Sequence, residues 1–433
     1  MSVNHYYDLS GVEEEIANCM RCGNCQAACP YYRETVAEAA VARGRIRLAK
    51  AVLQGELQYS PTLAERFECL TCYACNAACP CGVKIDKVFL AARAAMVRQG
   101  GLPPLKRIMA TALKNNRFLD LGFKTAARAK GLFFRTSPEG GLQPRFPIGL
   151  ELRRVVPPLT PRNFLGEVTD SLLVPGASRK VAFFSGCLAN YVYPSTGRAV
   201  MEVLSNSGVS VLVPKAQHCC GAPLLLNGIV TEAEEMARSH VDLFSGLDID
   251  ALVVACGTCG ESFKKKYVDL LDGVPGYADR ARKLAAKTYD IAEFACTLVP
   301  STRKRLQEVN MSVTYHEPCH LGRGLGITKE PLEILRSIPG LNFIPLKEPS
   351  RCCGNAGSFS LTHYDVSYGI LKHKLEDVAG TGADVVVTGC GACRMQLEDG
   401  IAQERLGKKV LHTAEILAMA LTLKGKNDLY VAS

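Results

Sequence analysis

Cys352-Cys353-Gly354-Asn355-Ala356-Gly357-Ser358 (352–358) sets two adjacent cysteines before a glycine, and the same triplet stands earlier as Cys219-Cys220-Gly221. Each triplet keeps the same companions. A lone cysteine precedes it, Cys187 in the first copy and Cys319 in the second. A C-x-x-C follows it, Cys256 and Cys259 in the first, Cys390 and Cys393 in the second. The offsets between copies run 132, 133 and 134 residues, so each stretch differs by one inserted residue. Self-similarity of this kind marks an internal repeat, here with five cysteines per unit. Thiolates are soft ligands that suit iron–sulfur clusters, zinc and copper(I). Cysteine packed as a small hydrophobe does not explain two sets in register. Zinc takes four ligands, commonly from two C-x-x-C pairs, and each repeat has only one. Five thiols in register fit iron–sulfur binding better than either alternative.

Working outward, strands and helices alternate. In the first copy the strands are KVAFF before Cys187, VSVLVP before the cysteine pair and ALVVA before Cys256, with helices at STGRAVMEVLSNSG and TEAEEMARSHVDLFSGL. In the second copy MSVTY, NFIPL and DVVVTG alternate with EPLEILRSIPG and DVSYGILKHKLEDVAG, and KVLHTAEILAMALTL reads as a closing helix. This alternation implies two tandem α/β units with parallel sheets. Ligands gather beyond the carboxyl ends of such strands, where all ten cysteines fall. Gly221 and Gly354 are expected to let the backbone approach a cluster where a side chain would clash. His218, His316 and His320 lie within three residues of these cysteines. Each is either a proton donor at a reducible sulfur or a neutral imidazole bonded to a thiolate or carbonyl.

Nearer the N-terminus the pattern changes. Cys19-x-x-Cys22-x-x-Cys25-x-x-x-Cys29-Pro30 recurs as Cys69-x-x-Cys72-x-x-Cys75-x-x-x-Cys79-Pro80. This is bacterial ferredoxin spacing, in which the fourth cysteine of each run ligates the other cluster. Cys19, Cys22, Cys25 and Cys79 are assigned to one [4Fe–4S] cluster, and Cys69, Cys72, Cys75 and Cys29 to another. The competing reading is zinc in a C-x-x-C knuckle. Cys81 reads as a cysteine that supports the ligands from behind or simply packs beside them, and each proline as a break that turns the chain toward the other cube. The helical stretch between the runs carries Arg43, Arg45 and Arg47, which either neutralise cluster charge or hold a partner, or lie on a solvated face.

A chain of 433 residues, 48% hydrophobic, can build two or three cores. Twenty cysteines grouped in C-x-x-C motifs point to a reducing compartment. The start MSVNHYYDLSGVEEE lacks a signal-peptide pattern, and no apolar run is long enough to span a bilayer. A cytoplasmic protein is expected, in solution or peripheral on the inner face of the cell membrane. The net charge is +9, yet Arg98–Asn163 alone holds thirteen Lys/Arg against three Asp/Glu. That stretch is rich in proline and glycine and reads as a basic linker with short helices. The expected organisation is α+β and α/β: a ferredoxin-like domain over 1–100, helical and binding two clusters, a linker over 101–178, and cysteine-rich repeats over 179–300 and 301–433. No G-x-G-x-x-G follows a strand, and GRGLG at 322–326 lacks the context. Neither FAD nor NAD is expected in this chain, and nothing beyond the basic linker suggests nucleic acid.

With these residues in hand, the sequence resembles the iron–sulfur subunit of glycolate oxidase and of FAD-linked 2-hydroxyacid (lactate) dehydrogenases. These lie within the wider family that shares the cysteine-rich (CCG) domain of heterodisulfide reductase. The residues that carry the resemblance are RGRIRLAKAVLQGE between the runs, CLTCYACNAACPCGV at the second run, YHEPCHLGR at 315–323 and CCGNAGSFSLTH at 352–363. It covers nearly the whole length. It implies an electron carrier that docks with an FAD-binding 2-hydroxyacid dehydrogenase subunit and passes electrons to quinone, an electron-transfer flavoprotein or another carrier. Glycolate oxidase subunits often lack one cysteine of the C-x-x-C pairs. This sequence keeps all ten, like the catalytic subunit of heterodisulfide reductase, where each repeat holds a noncubane [4Fe–4S] cluster. The resemblance thus implies two cubane clusters and one or two noncubane ones, and leaves a disulfide-reducing catalytic subunit as the alternative.

Overall fold

The computed structural model describes residues 7–160, 162–302 and 305–421. Residues 1–6, and 422–423 of the expected closing helix, lie outside this range.

The N-terminal part is helical. Its longer helices, Ala42–Leu53 and Ile85–Gly100, bury Ile46, Val88, Phe89 and Met96 against Ile16 and Phe67. Pro30 opens the helix Pro30–Thr35, with the Cys29 thiol accepting from the Tyr32 N–H at 3.4 Å. A proline at the first helical position loses no hydrogen bond, so here it starts a helix as well as ending one. Arg45 is fully buried. Its Nε donates to the Arg66 carbonyl at 2.6 Å and its guanidinium lies over Tyr31 and Phe89. It is therefore a brace between the runs, and the solvated-face reading fails for it. Arg43 pairs with Glu38 at 2.6 Å.

The segment over 101–178 departs from a linker of short helices. Pro104–Lys114 and the 18-residue Asn116–Phe133 are continuous helices. Asn115 caps the second, accepting from the Arg117 and Phe118 N–H groups at 3.0 and 3.2 Å. Proline density at the ends of the segment hid the strong helix formers between them. A hairpin follows, β1 (Phe134–Thr136) and β2 (Leu142–Pro144).

Strands β3 (Ser171–Leu172), β4 (Arg179–Phe184), β5 (Val209–Leu212), β6 (Ala251–Val254) and β7 (Thr288–Asp290) form one sheet in the order β3-β5-β4-β6-β7. It is parallel except for the edge pair of β3 with β5. Strands β8 (Met311–His316), β9 (Leu341–Phe343), β10 (Val385–Thr388) and β11 (Lys409–His412) form an all-parallel sheet in the order β9-β8-β10-β11. Apart from β3, the two orders are the same. β6 and β10 are buried along their whole length, as expected of parallel strands covered on both faces.

Each repeat has a fourth parallel strand that the sequence pattern does not reveal. KVLH opens β11 rather than the closing helix, which is Thr413–Leu421. Three or four residues are too few for strand and helix periods to separate. The repeats also share one core: Val181, Phe183 and Val253 of the first and Val313, Tyr315 and Val387 of the second belong to a single buried cluster. The closing helix of the second repeat packs on Pro194–Asn206 of the first. The helix Ile291–Thr302 of the first packs on Glu330–Ser337 of the second.

Candidate metal centres

Each N-terminal run wraps by the same backbone device. The residues flanking its middle cysteine are left-handed, Arg21 (φ 62°) and Gly23 (φ 89°) in the first, Thr71 (φ 49°) and Tyr73 (φ 60°) in the second. Three of the four are not glycine. Such strained positions persist where the surroundings enforce them and cluster at functional sites. The wrapping separates the eight thiols into two small cavities. Cys19, Cys22, Cys25 and Cys79 line one. Cys29, Cys69, Cys72 and Cys75 line the other. The fourth cysteine of each run thus stands with the first three of the other. Cys81 is exposed at the rim of the first cavity, so it does not serve as packing.

In the repeats all ten thiols line one cavity of about 290 Å³ between the two sheets. Cys187 and Cys319 follow β4 and β8, while Cys256 and Cys390 follow β6 and β10. Between those strands the chain turns off to opposite sides of the sheet, the place where open α/β sheets bind ligands. The two sets meet where Cys256 Sγ lies 3.7 Å from Cys390 Sγ. The second set also meets the N-terminal part, because Cys72 packs against Cys352. Arg323 pins that junction, donating to the Cys72 carbonyl at 2.8 Å and to the Ser350 carbonyl. Cys220 and Cys353 are held below the usual thiol range, first by hydrogen bonds from Cys219 and Cys352. That favours the thiolate, the form that binds metal.

The two glycines share one backbone conformation. Gly221 (φ 77°) and Gly354 (φ 87°) occupy the left-handed region, which alone favours glycine. A side chain on Gly354 would collide with the Ser367 carbonyl. The three histidines diverge. His218 bonds the Cys219 carbonyl at 3.0 Å and Ser239 at 3.2 Å, and packs on His240. Burial pushes it toward the neutral imidazole. His320 lines the cavity and bonds Glu261. His316 is buried at the end of β8 beside Cys353 and Cys393.

Sequence reasoning missed the buried cluster of Tyr73, Glu261, Lys266 and His320. Glu261 accepts from the Tyr73 hydroxyl and from His320, and pairs with Lys266 at 3.4 Å. Lys266 Nζ donates to Tyr73 at 3.0 Å. Burial raises the Glu261 carboxyl, but Lys266 and His320 outweigh it and bring it to about 2. The cluster ties the second run to both repeats. Its signal was available, since Tyr73 lies inside the second run and His320 follows Cys319, but nothing in the sequence pairs residues so far apart.

Comparison with known proteins agrees with this division. Residues 15–83 match the 4Fe-4S dicluster domain, and 181–264 and 313–398 match the Cysteine-rich domain. The probable glycolate oxidase iron-sulfur subunit of Bacillus subtilis is 31% identical over 94% of this chain and 94% of its own length. The chain belongs to the glycolate oxidase iron–sulfur subunit family. It is an iron–sulfur protein, and its free thiols, grouped without disulfides, are the donor set such clusters need. Two other relatives match part of this family member. Lactate utilization protein A of Geobacillus thermodenitrificans is 32% identical over 55% of this chain and 98% of its own. A subunit of the fumarate reductase (CoM/CoB) of Methanothermobacter marburgensis is 34% identical over 57% of this chain and 47% of its own. Among the described residues, no helix is long and apolar enough to cross a membrane.

Proposed function

We propose that the chain is the electron-transfer subunit of an FAD-dependent 2-hydroxyacid dehydrogenase acting on glycolate or lactate. In this reading Cys19, Cys22, Cys25 and Cys79 hold one cubane [4Fe–4S] cluster, and Cys69, Cys72, Cys75 and Cys29 the other. The five-cysteine sets hold noncubane [4Fe–4S] clusters. Bound clusters would supply one-electron steps at potentials set by nearby charge, hydrogen bonds and exposure.

The observation that carries the reading is the unbroken line of thiols. It runs from the second N-terminal run through the Cys72–Cys352 contact into the second repeat, and through the Cys256–Cys390 approach into the first. Such a line gives an order: outer cube, inner cube, second repeat, first repeat. Cys22 is exposed, which suits the outer cube as the entry from a partner flavin. The exposed face of Asn116–Phe133, with Arg117, Lys124, Arg128 and Lys130 beside Phe118 and Leu121, suits docking on an acidic subunit or an anionic membrane surface in the cytoplasm. The final acceptor would be quinone, an electron-transfer flavoprotein or another carrier.

A second reading, a disulfide reductase, is favoured by the ten-thiol cavity, whose volume admits a small substrate. The deciding experiment is anaerobic purification of the native complex with flavin analysis. A flavoprotein that reduces the chain on adding glycolate or lactate supports the first reading. No flavoprotein, with disulfide reduction by the isolated chain and a reduced dye, replaces it with the second.

A further inference from the structure

The two repeats place different side chains at the same point behind their thiols. Phe184 ends β4 opposite Val254, and His316 ends β8 opposite the equivalent Thr388. Each stands three residues before its lone cysteine, Cys187 or Cys319. Phe184 packs in an aromatic group with Phe263, Phe244 and His240. His316 is 1% exposed, and neither of its ring nitrogens has a hydrogen-bond partner among the described residues. One of those nitrogens, Cys353 Sγ and Cys393 Sγ all lie within 4.8 Å of one another. Buried polar atoms are nearly always satisfied, so an imidazole with two orphaned nitrogens, one of them beside two thiols, calls for an occupant. A metal fits, because imidazole joined to thiolates suits iron or zinc.

We propose that His316 supplies a nitrogen donor to the metal centre of the second repeat, giving it a mixed nitrogen–sulfur donor set where the first repeat is all sulfur. A nitrogen donor carries less charge than a thiolate. Replacing cysteine with histidine ligands raises the potential of two-iron clusters. A mixed centre nearest the inner cube would then hold an arriving electron more tightly than the all-sulfur centre beyond it. The proposal rests on the reading that the second repeat holds a metal.

The test uses the full chain, purified anaerobically with its own metals and labelled with 15N-histidine. Metal analysis comes first. About sixteen irons per chain, from four irons per cluster, or about twelve with one zinc, means that both repeats are loaded. With iron in the second repeat, pulsed paramagnetic resonance should show a directly bound histidine nitrogen. With zinc, X-ray absorption should show one nitrogen neighbour among the sulfurs. The signal should vanish in His316→Phe while the two cube signals persist. The labelled wild-type protein alone decides the matter if that variant does not fold. Loaded repeats with sulfur neighbours only overturn the proposal, as does a nitrogen signal that survives in His316→Phe. About eight irons and no zinc overturn both the proposal and the reading beneath it.

Discussion

The two repeats share strand order, thiol spacing and a common core, yet the residues behind their thiols differ. Gly221 faces Ala233 and Met236 as Gly354 faces Ser367 and Ile370, which aligns His240 with Lys374. Strand register aligns Phe184 with His316 and Asp290 with His412. The first set is therefore backed by phenylalanine, a neutral histidine and a carboxyl. The second is backed by His316 and Lys374, while His412 stands near Ala255 and Cys256 of the first. Lys374 donates to the Glu348 and Pro349 carbonyls, and burial lowers its ammonium to about 8. Cys352 of the second set packs against Cys72, a thiol of the N-terminal part. The lesson is that backbone symmetry fixes where the ligands go, while the residues behind them set how each centre holds charge. Positive groups nearby favour the reduced form, so the second repeat should be the easier to reduce.

The largest expected effect is on electron flow. Cys353→Ser should remove about four irons and leave the first repeat oxidised when the cubes are reduced, because the line of thiols is cut. Cys220→Ser should remove a similar amount yet leave the second repeat reducible. Iron analysis with rapid-freeze paramagnetic resonance checks this, and equal behaviour of the two variants would break the ordering.

Next is stability at Glu261, whose counterpart by the C-x-x-C offset is Met395. Glu261→Ala leaves Lys266 buried without its carboxylate and should cost about 3–5 kcal/mol. Met395→Leu conserves volume and should cost less than about 1.5 kcal/mol. Denaturant midpoints under argon measure both. A loss below about 1 kcal/mol at Glu261 would mean that the cluster is a surface-like pair.

The pH response should split the repeats in opposite directions. Burial pushes the Asp290 carboxyl up to about 8, with Oδ2 unpartnered among the described residues. The folded state therefore holds this proton more tightly than the unfolded state does. Its stabilising contribution is present below about pH 4 and is lost as pH rises toward 8. His412 is the reverse. Burial holds it neutral, so stability is lost as pH falls below about 6.5, its unfolded value. Asp290→Asn should remove the fall in stability between about pH 4 and about 8, and His412→Asn the fall below about pH 6.5. A profile unchanged by either would remove the difference between the sites.

The smallest effect concerns neither repeat directly and serves as their control. Reversing Arg117, Lys124, Arg128 and Lys130 to Glu should leave iron content and stability unchanged. It should weaken salt-sensitive association with a flavoprotein or with anionic vesicles. Lys106 and Arg154 are poor choices for such a test. Lys106 pairs with Glu68 at 2.5 Å, and Arg154 is buried against Asp399 at 3.6 Å and the Ser360 carbonyl at 2.9 Å.

Much of this was legible in the chain because cysteine spacing is a local signal. The repeat, the strands before each thiol and the two runs all follow from neighbours within a few residues. What escaped was short or distant. β7 and β11 are too brief to show a period. The helix Asn116–Phe133 was masked by the prolines around its segment. The Tyr73–Glu261–His320 cluster joins residues whose proximity only the packed fold creates. His316 was singled out by its position near Cys319, but its difference from Phe184 became visible only once strand register paired the two.

The reciprocal packing of closing helices has a consequence of its own. Each repeat caps the other, as two identical subunits do across a two-fold axis, where whatever one presents its twin must present too. Writing both copies into one polypeptide lifts that obligation. The molecule keeps the matched halves of a dimer and is free to furnish them differently, so a gradient can exist across what would otherwise be a mirror of equals.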